Sequence, residues 1–120
     1  MLDHLSIKVS DFAKSKAFYE AVLKTIGYKV LRDYSPQAAG LGGDHPDFWI
    51  VKGPKATPNH IAFRAQDRKT VDAFYKAALA AGAKDNGAPG IRKQYHEHYY
   101  GAFVIDPDGN NVEAVCHKPE

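Results

Sequence analysis

The amino-acid sequence predicts an α+β fold: two tandem βαβββ modules that form one curved sheet, a half-barrel, with the helices on its outer face. Three observations predict it. The chain repeats itself. Within each half the apolar period changes from two to about 3.6, so a strand gives way to a helix. Each half also opens on a histidine set second in an alternating strand.

The repeat pairs DHLSIKVSD (Asp3 to Asp11) with NHIAFRAQD (Asn59 to Asp67). The offset that carries His4 onto His60 also carries Asp11 onto Asp67, Phe18 and Tyr19 onto Phe74 and Tyr75, Ala21 onto Ala77 and Leu23 onto Leu79, without a gap. In the first strand Leu5, Ile7 and Val9 share one face and His4 takes the other; Ile61, Phe63 and Ala65 stand in the same relation to His60. A helical stripe follows in each half, made by Phe18, Tyr19, Val22, Leu23 and Ile26 and then by Val71, Phe74, Tyr75, Ala78 and Leu79. Such a stripe must bury itself against a sheet. Ser10 or Asp11 caps the first helix, Asp67 caps the second, and Gly27 and Gly82 end them.

Three strands complete the first half: Tyr28 to Tyr34, a weaker one over Ala38 to Leu41, and Phe48 to Lys52. In the second half Tyr99 to Ile105 and Asn111 to Val115 are the clear strands, and DPDGN (Asp106 to Asn110) is the turn between them. The closing strands, DHPDFWIV (Asp44 to Val51) and DGNNVEAV (Asp108 to Val115), align at a larger offset, so the second half carries an insertion around GAPG (Gly87 to Gly90) and QYHEH (Gln94 to His98). The expected boundaries are module one at 1–52, a linker at 53–58 and module two at 59–116. The linker is too short to separate free domains.

Length and composition agree with this. A chain of 120 residues builds one core, so the two modules must share it. Hydrophobic residues at 44% and charged residues at 25% are ordinary for a globular domain. The net charge of +2 is spread without a basic block, which disfavours nucleic acid as a partner. No apolar run approaches the roughly 20 residues of a membrane helix, and the start lacks a secretory signal, so no membrane is expected and the location is expected to be cytoplasmic. The single cysteine, Cys116, reads as a small buried apolar residue.

The site candidates come from the repeat. His4 and His60 hold equivalent places on the strand faces turned away from the helices, and Glu113 lies on the last strand among Asn111 and Val115. The ordinary reading of each one alone is a strand histidine with a satisfied hydrogen bond, or a surface carboxylate. Together, two imidazoles and a carboxylate suit zinc, manganese, iron(II), nickel or cobalt. Trp49 aligns with Glu113 and cannot ligate, so coordination places stay open for substrate.

QYHEHYY (Gln94 to Tyr100) is the densest polar run, and His96, Glu97 and His98 are acid or base candidates there. Tyr100 is the preferred donor to substrate. A solvated loop is the plain alternative for the whole segment. Trp49 and Tyr99 are candidate stacking surfaces for substrate, and Arg64 is a candidate to attract an anionic one; core packing and an edge salt bridge are their plain alternatives. His45 in GDHPD reads as a turn residue, and Cys116 to Glu120 reads as a mobile tail in which His117 is left unassigned.

DHLSIKV (Asp3 to Val9), SKAFY (Ser15 to Tyr19), NHIAF (Asn59 to Phe63) and FVIDPDGNNVE (Phe103 to Glu113) together resemble the vicinal oxygen chelate superfamily, the group of lactoylglutathione lyase, fosfomycin resistance proteins, bleomycin resistance proteins and extradiol dioxygenases. The resemblance covers essentially the whole chain. It implies that His4, His60 and Glu113 are the metal ligands, that a small substrate binds through two neighbouring oxygens, and that the ion stabilises an oxyanion or enediolate. It places Trp49 where lactoylglutathione lyase has a second carboxylate. It also implies a homodimer, in which His4 meets His60 and Glu113 within one chain or across two. Two functions follow as alternatives: a metal-dependent lyase, isomerase, transferase or dioxygenase, and a non-catalytic cleft that sequesters an antibiotic-type ligand.

Overall fold

The structure is a computed structural model that describes residues 1–54 and 57–119; Lys55 and Ala56 of the linker and the last residue, Glu120, lie outside the described residues. Module one runs β1 (Leu5–Val9), α1 (Phe12–Leu23), a 3-10 turn at Lys24–Ile26, β2 (Lys29–Tyr34), β3 (Ala38–Gly42) and β4 (Phe48–Lys52). Module two runs β5 (His60–Arg64), α2 (Arg68–Ala80), β6 (Lys84–Asp85), β7 (Gly90–Ile91), β8 (Tyr100–Ile105) and β9 (Asn111–Cys116). The insertion read from the sequence therefore carries β6 and β7, two short pieces that both pair antiparallel with β8.

The α+β class and its two modules stand. The strands form two sheets, ordered β1-β4-β3-β2 and β5-β9-β8-β6, with β7 also on β8. β1 runs parallel to β4 and β5 parallel to β9, which leaves β1 and β5 as open edges in equivalent places.

The helices begin and end for local reasons. Asp11 accepts from the backbone N–H of Lys14 at 3.2 Å, and Asp67 accepts from that of Thr70 at 2.7 Å, each meeting a donor the first turn leaves free. Gly27 and Gly82 follow with φ of 90° and 96°, a left-handed conformation that glycine adopts without a Cβ clash. Ser10, the alternative cap, turns elsewhere. Its hydroxyl donates to Asp108 Oδ1 at 2.5 Å, tying the start of α1 to module two.

The modules share one core, as the chain length requires. Ile7, Val9, Phe48 and Ile50 of the first sheet and Ile61, Phe63, Val104 and Val112 of the second are buried with Phe18, Tyr19, Val22 and Phe74 of the helices. Phe48 and Phe63 meet edge to face at 5.3 Å, so the helix-side faces of the two sheets pack against each other. The DPDGN turn is part of this joint. Asp106 accepts from the backbone N–H groups of Asp108 at 2.9 Å and Asn110 at 2.8 Å, and also from the Tyr19 hydroxyl of α1. Asn110 Oδ1 accepts from Asn59 N–H at 2.8 Å, next to the start of β5. Among the described residues no helix is long and apolar enough to cross a membrane.

The end of the chain departs from the expected loose tail. Cys116 is the buried last residue of β9, and His117 is bonded to His96, because pairing with β8 continues as far as Tyr100 opposite Cys116.

Candidate metal centre

In the pairing of β5 with β9, Ala62 stands opposite Glu113 and His60 opposite Asn111. Side chains alternate along a strand, so His60, Ala62 and Arg64 share the helix-free face with Asn111, Glu113 and Val115, while Ile61, Phe63, Val112 and Ala114 enter the core. On the helix-free face His60 Nε2–H donates to Glu113 Oε1 at 2.8 Å. The Glu113 side chain is 1% exposed, whereas that of His60 is 54% exposed.

A carboxylate that far from water needs partners for both oxygens. The second is Tyr99, whose hydroxyl donates to Glu113 Oε2. Burial, and then the carboxylate itself, push the Tyr99 phenol above its ordinary value of 10.0, so it keeps its proton and remains a donor near neutral pH. Gly101 makes this approach possible. A Cβ there would stand 3.3 Å from Glu113 Oε2 and 3.1 Å from the Tyr99 ring.

Tyr99 is the tyrosine beside the carboxylate, whereas Tyr100, the sequence's preferred donor to substrate, faces the other way. Phe103 pairs with Glu113, so Gly101 and Phe103 lie on the helix-free face of β8 and Tyr100 on the other, with the buried Ala102 and Val104. The Tyr100 hydroxyl donates to Asp72 Oδ1 of α2 at 2.6 Å, and the Arg68 guanidinium lies 5.1 Å from its ring centre. Burial and Asp72 push this phenol up to about 12. Sequence parity tells that Tyr100 and Ala102 share a face; only the position of α2 tells which face that is.

The other candidates fall as follows. Glu97 Oε1 and His98 Nε2 lie 3.4 Å apart in the exposed loop before β8, paired with each other rather than with Glu113. His96 bonds to His117 at 2.8 Å. Trp49 takes the helix-free face of the first sheet, opposite Ser6 and Gly40. It lies parallel to the exposed Tyr34 ring with 6.2 Å between centres, and its indole N–H donates to Pro46 O at 2.9 Å. Gly40 admits the indole, since a Cβ there would come within 2.8 Å of it. Arg64 shares the His60 face but lines a cleft of about 540 Å³ with Lys24, Thr25, Gly27, Gln66 and Thr70, which neither His60 nor Glu113 borders. Arg92, which the sequence does not single out, also reaches this face. Its guanidinium lies 5.3 Å from the centre of the Phe103 ring, which is itself 6.2 Å from that of His60. Gly87 and Gly90 give the guanidinium room, since a Cβ at either would stand 3.1 Å from it.

His4 sits apart from the pair, immediately before β1. Its Nδ1 lies 2.7 Å from Asp3 Oδ1 and the Nε2 of His45 lies 3.3 Å from the same oxygen. Bonds from His4 and then from His45 hold the Asp3 carboxyl below its ordinary range. A carboxylate only accepts, so a neutral His4 carries its proton on Nδ1 and keeps its lone pair on Nε2, which is the arrangement of a metal-binding imidazole backed by a carboxylate. Yet no group of three or more His, Cys, Asp or Glu side chains able to hold a metal ion forms among the described residues. One chain bonds His60 to Glu113, whereas His4, at the start of β1, bonds to Asp3 and not to that pair.

Comparison with known proteins identifies the family and the fold. Residues 1–114 match the family model of the Glyoxalase/Bleomycin resistance protein/Dioxygenase superfamily. The uncharacterized protein YqjT of Bacillus subtilis is 27% identical, over 96% of this chain and 98% of its own. A glyoxalase/bleomycin resistance protein from Albidiferax ferrireducens superposes with a TM-score of 0.81 at 29% identity, covering 96% of this chain and 97% of the other. A variant of the fosfomycin resistance protein FosX from Listeria monocytogenes, solved with manganese(II) and 1S,2S-dihydroxypropylphosphonic acid, superposes with a TM-score of 0.72 at 21% identity, covering 96% and 88%.

Proposed function

The chain belongs to the Glyoxalase/Bleomycin resistance protein/Dioxygenase superfamily, and on that premise we propose that it is a metal-dependent enzyme acting on a small oxygen-rich substrate, with His60 and Glu113 of one chain and His4 of a second copy as the metal ligands. The observation that carries the reading is the His60–Glu113 pair, which puts a half-exposed imidazole against an otherwise buried carboxylate at 2.8 Å. The donors fit a borderline divalent ion: two imidazoles and one carboxylate suit zinc, manganese, iron(II), nickel or cobalt. The manganese(II) in the FosX complex favours the harder members of that series.

A homodimer is the assembly that supplies the third ligand. Phe48 and Phe63 turn the helix-side faces of the two sheets toward each other within one chain, so the helix-free faces that carry Trp49 and Glu113 stay open. Both open edges, β1 and β5, are parallel-paired strands with free backbone groups, which a second copy can cover. In that assembly His4 Nε2 would meet His60 and Glu113 across the interface.

When bound, the ion supplies Lewis acidity, lowering the energy of an oxyanion or enediolate held through two neighbouring oxygens. The residues of the chain do the rest. Tyr99 fixes the carboxylate, Asp3 orients His4, Arg92 presents its guanidinium beside Phe103, and Trp49 with Tyr34 forms an aromatic wall whose face, not its N–H, is available. The Tyr34–Trp49 stack also favours a second reading, a cleft that sequesters an aromatic ligand without chemistry. Elemental analysis of protein purified without chelator tests the proposal. Stoichiometric metal that disappears in His60→Ala supports it; metal-free wild-type protein refutes it and leaves the sequestering cleft.

A further inference from the structure

We propose that Tyr99 is a positioning residue for Glu113, and that His96 and His117 lock Tyr99 in place, so that the histidine following the last strand sets metal affinity. The inference rests on the metal-site reading given above. It begins with the two oxygens of Glu113. His60 meets Oε1 and Tyr99 meets Oε2, and the side chain between them is buried. With Oε2 held by a phenol, the carboxylate presents only Oε1 on the His60 side, as a one-oxygen ligand. Without the hydroxyl, Oε2 is left in a buried place with no donor, and the carboxylate turns to find one.

Tyr99 is held from three sides. Its ring centre lies 4.8 Å from that of Tyr95, 5.5 Å from that of His96 and 5.4 Å from that of His117, the last two edge to face. The loop closes on itself through Arg92 N–H, which donates to Tyr99 O at 2.7 Å. The two histidines form the lock. His98 N–H donates to His96 Nδ1 at 3.0 Å, so a neutral His96 carries its proton on Nε2 and donates it to His117 Nδ1 at 2.8 Å. The rings lie nearly parallel, 24° apart, with centres at 5.1 Å. His117 is thereby an anchor that joins the end of β9 to the loop before β8, with Tyr99 beneath it. An imidazole that binds no metal still acts on the ligand, through the phenol that the ligand needs.

The test is titration of metal-free protein with manganese(II), following the free ion by electron paramagnetic resonance, with a thermal melt of each variant. Tyr99→Phe keeps the ring and its packing and is expected to weaken affinity about tenfold, as loss of a hydrogen bond to a ligand does. His117→Ala is expected to weaken it severalfold, His117→Asn to restore it by offering a side-chain carbonyl to His96 Nε2–H, and His117→Ala to have no further effect in the Tyr99→Phe background. Wild-type affinity in Tyr99→Phe overturns the positioning role. An undiminished His117→Ala effect in the Tyr99→Phe background overturns the lock. Failure of the wild type to bind manganese(II) or any other ion of the series overturns the metal reading itself, and this inference with it.

Discussion

The assignment of His4 to a second copy makes a quantitative prediction. His4→Ala retains His60 and Glu113, and Glu113→Ala retains His4, so each homodimer lacks one ligand at both of its sites. Unfolded together and refolded at equal concentrations, the two variants assort at random, and half of the dimers contain one chain of each. In such a dimer the His60 and Glu113 of the first chain face an intact His4 from the second, and the other site has lost His4 and Glu113 and keeps only His60. One site of two is restored in half the dimers, so the mixture is expected to regain about a quarter of the wild-type metal content per chain.

The assay is elemental analysis after gel filtration in manganese(II), with each variant alone and the refolded wild type as references. The size of the effect separates the alternatives. If His4 joined His60 and Glu113 within one chain, no combination of these variants would contain a complete site, and the mixture would hold only the average of its two components. That average would refute the shared site.

Three further outcomes are expected. Gly101→Ala puts a Cβ 3.3 Å from Glu113 Oε2 and 3.1 Å from the Tyr99 ring; it should lower manganese(II) affinity at a stability cost of about 1–3 kcal/mol, read by titration and denaturant unfolding. Gly40→Ala, with a Cβ 2.8 Å from the indole of Trp49, should unseat that ring from Tyr34 and shift tryptophan fluorescence while leaving manganese(II) affinity within about twofold. Burial and Asp106 raise the Tyr19 phenol well above its ordinary 10.0, so its contribution to stability is full below about pH 10 and is lost as pH rises toward the folded value, because only the unfolded state ionises there; Tyr19→Phe should cost about 1–2 kcal/mol at neutral pH and flatten the alkaline fall of Tm.

Much of this architecture is legible in the sequence, because period and punctuation are local. The alternation of Leu5, Ile7 and Val9 with His4, the aspartate caps and the glycine stops all act within a few residues, and each appears where the sequence puts it. What is not legible depends on neighbours distant in the chain. Tyr99 and Tyr100 differ in sequence by one place, and parity alone assigns them to opposite faces; choosing the face that holds Glu113 requires knowing that α2 covers Tyr100. His117 reads as part of a loose end because its partner, His96, lies in the insertion, where no periodic signal runs. β6 and β7 escape for the same reason, two residues each being too few to display a period. The repeat shows that His4 and His60 are equivalent, but equivalence by symmetry does not say which copy supplies the partner.

Glu113 shows why the site is more than a place where side chains happen to meet. A strand position facing away from the core is cheapest to fill with a residue that water can reach, and Ala62, its cross-strand neighbour, is exposed. Glu113 instead lies buried at that level, under His60 on one side and Tyr99 on the other, over a glycine that gives it room. A charged carboxylate held there is costly unless it is paired, by several kcal/mol, and the arrangement supplies that pairing from two separate elements, β5 through His60 and the loop before β8 through Tyr99. A hydrophobic residue such as valine would pack in the same space without any of these partners. Replacing Glu113 with Gln separates the two explanations. If the carboxylate serves only the fold, the neutral amide should hold the His60 and Tyr99 contacts poorly and lower Tm. If it serves as a ligand, manganese(II) binding should be lost whatever the change in Tm. The second outcome is expected, and a Glu113→Gln protein that melts early yet retains wild-type metal affinity would overturn the assignment of Glu113 as a ligand.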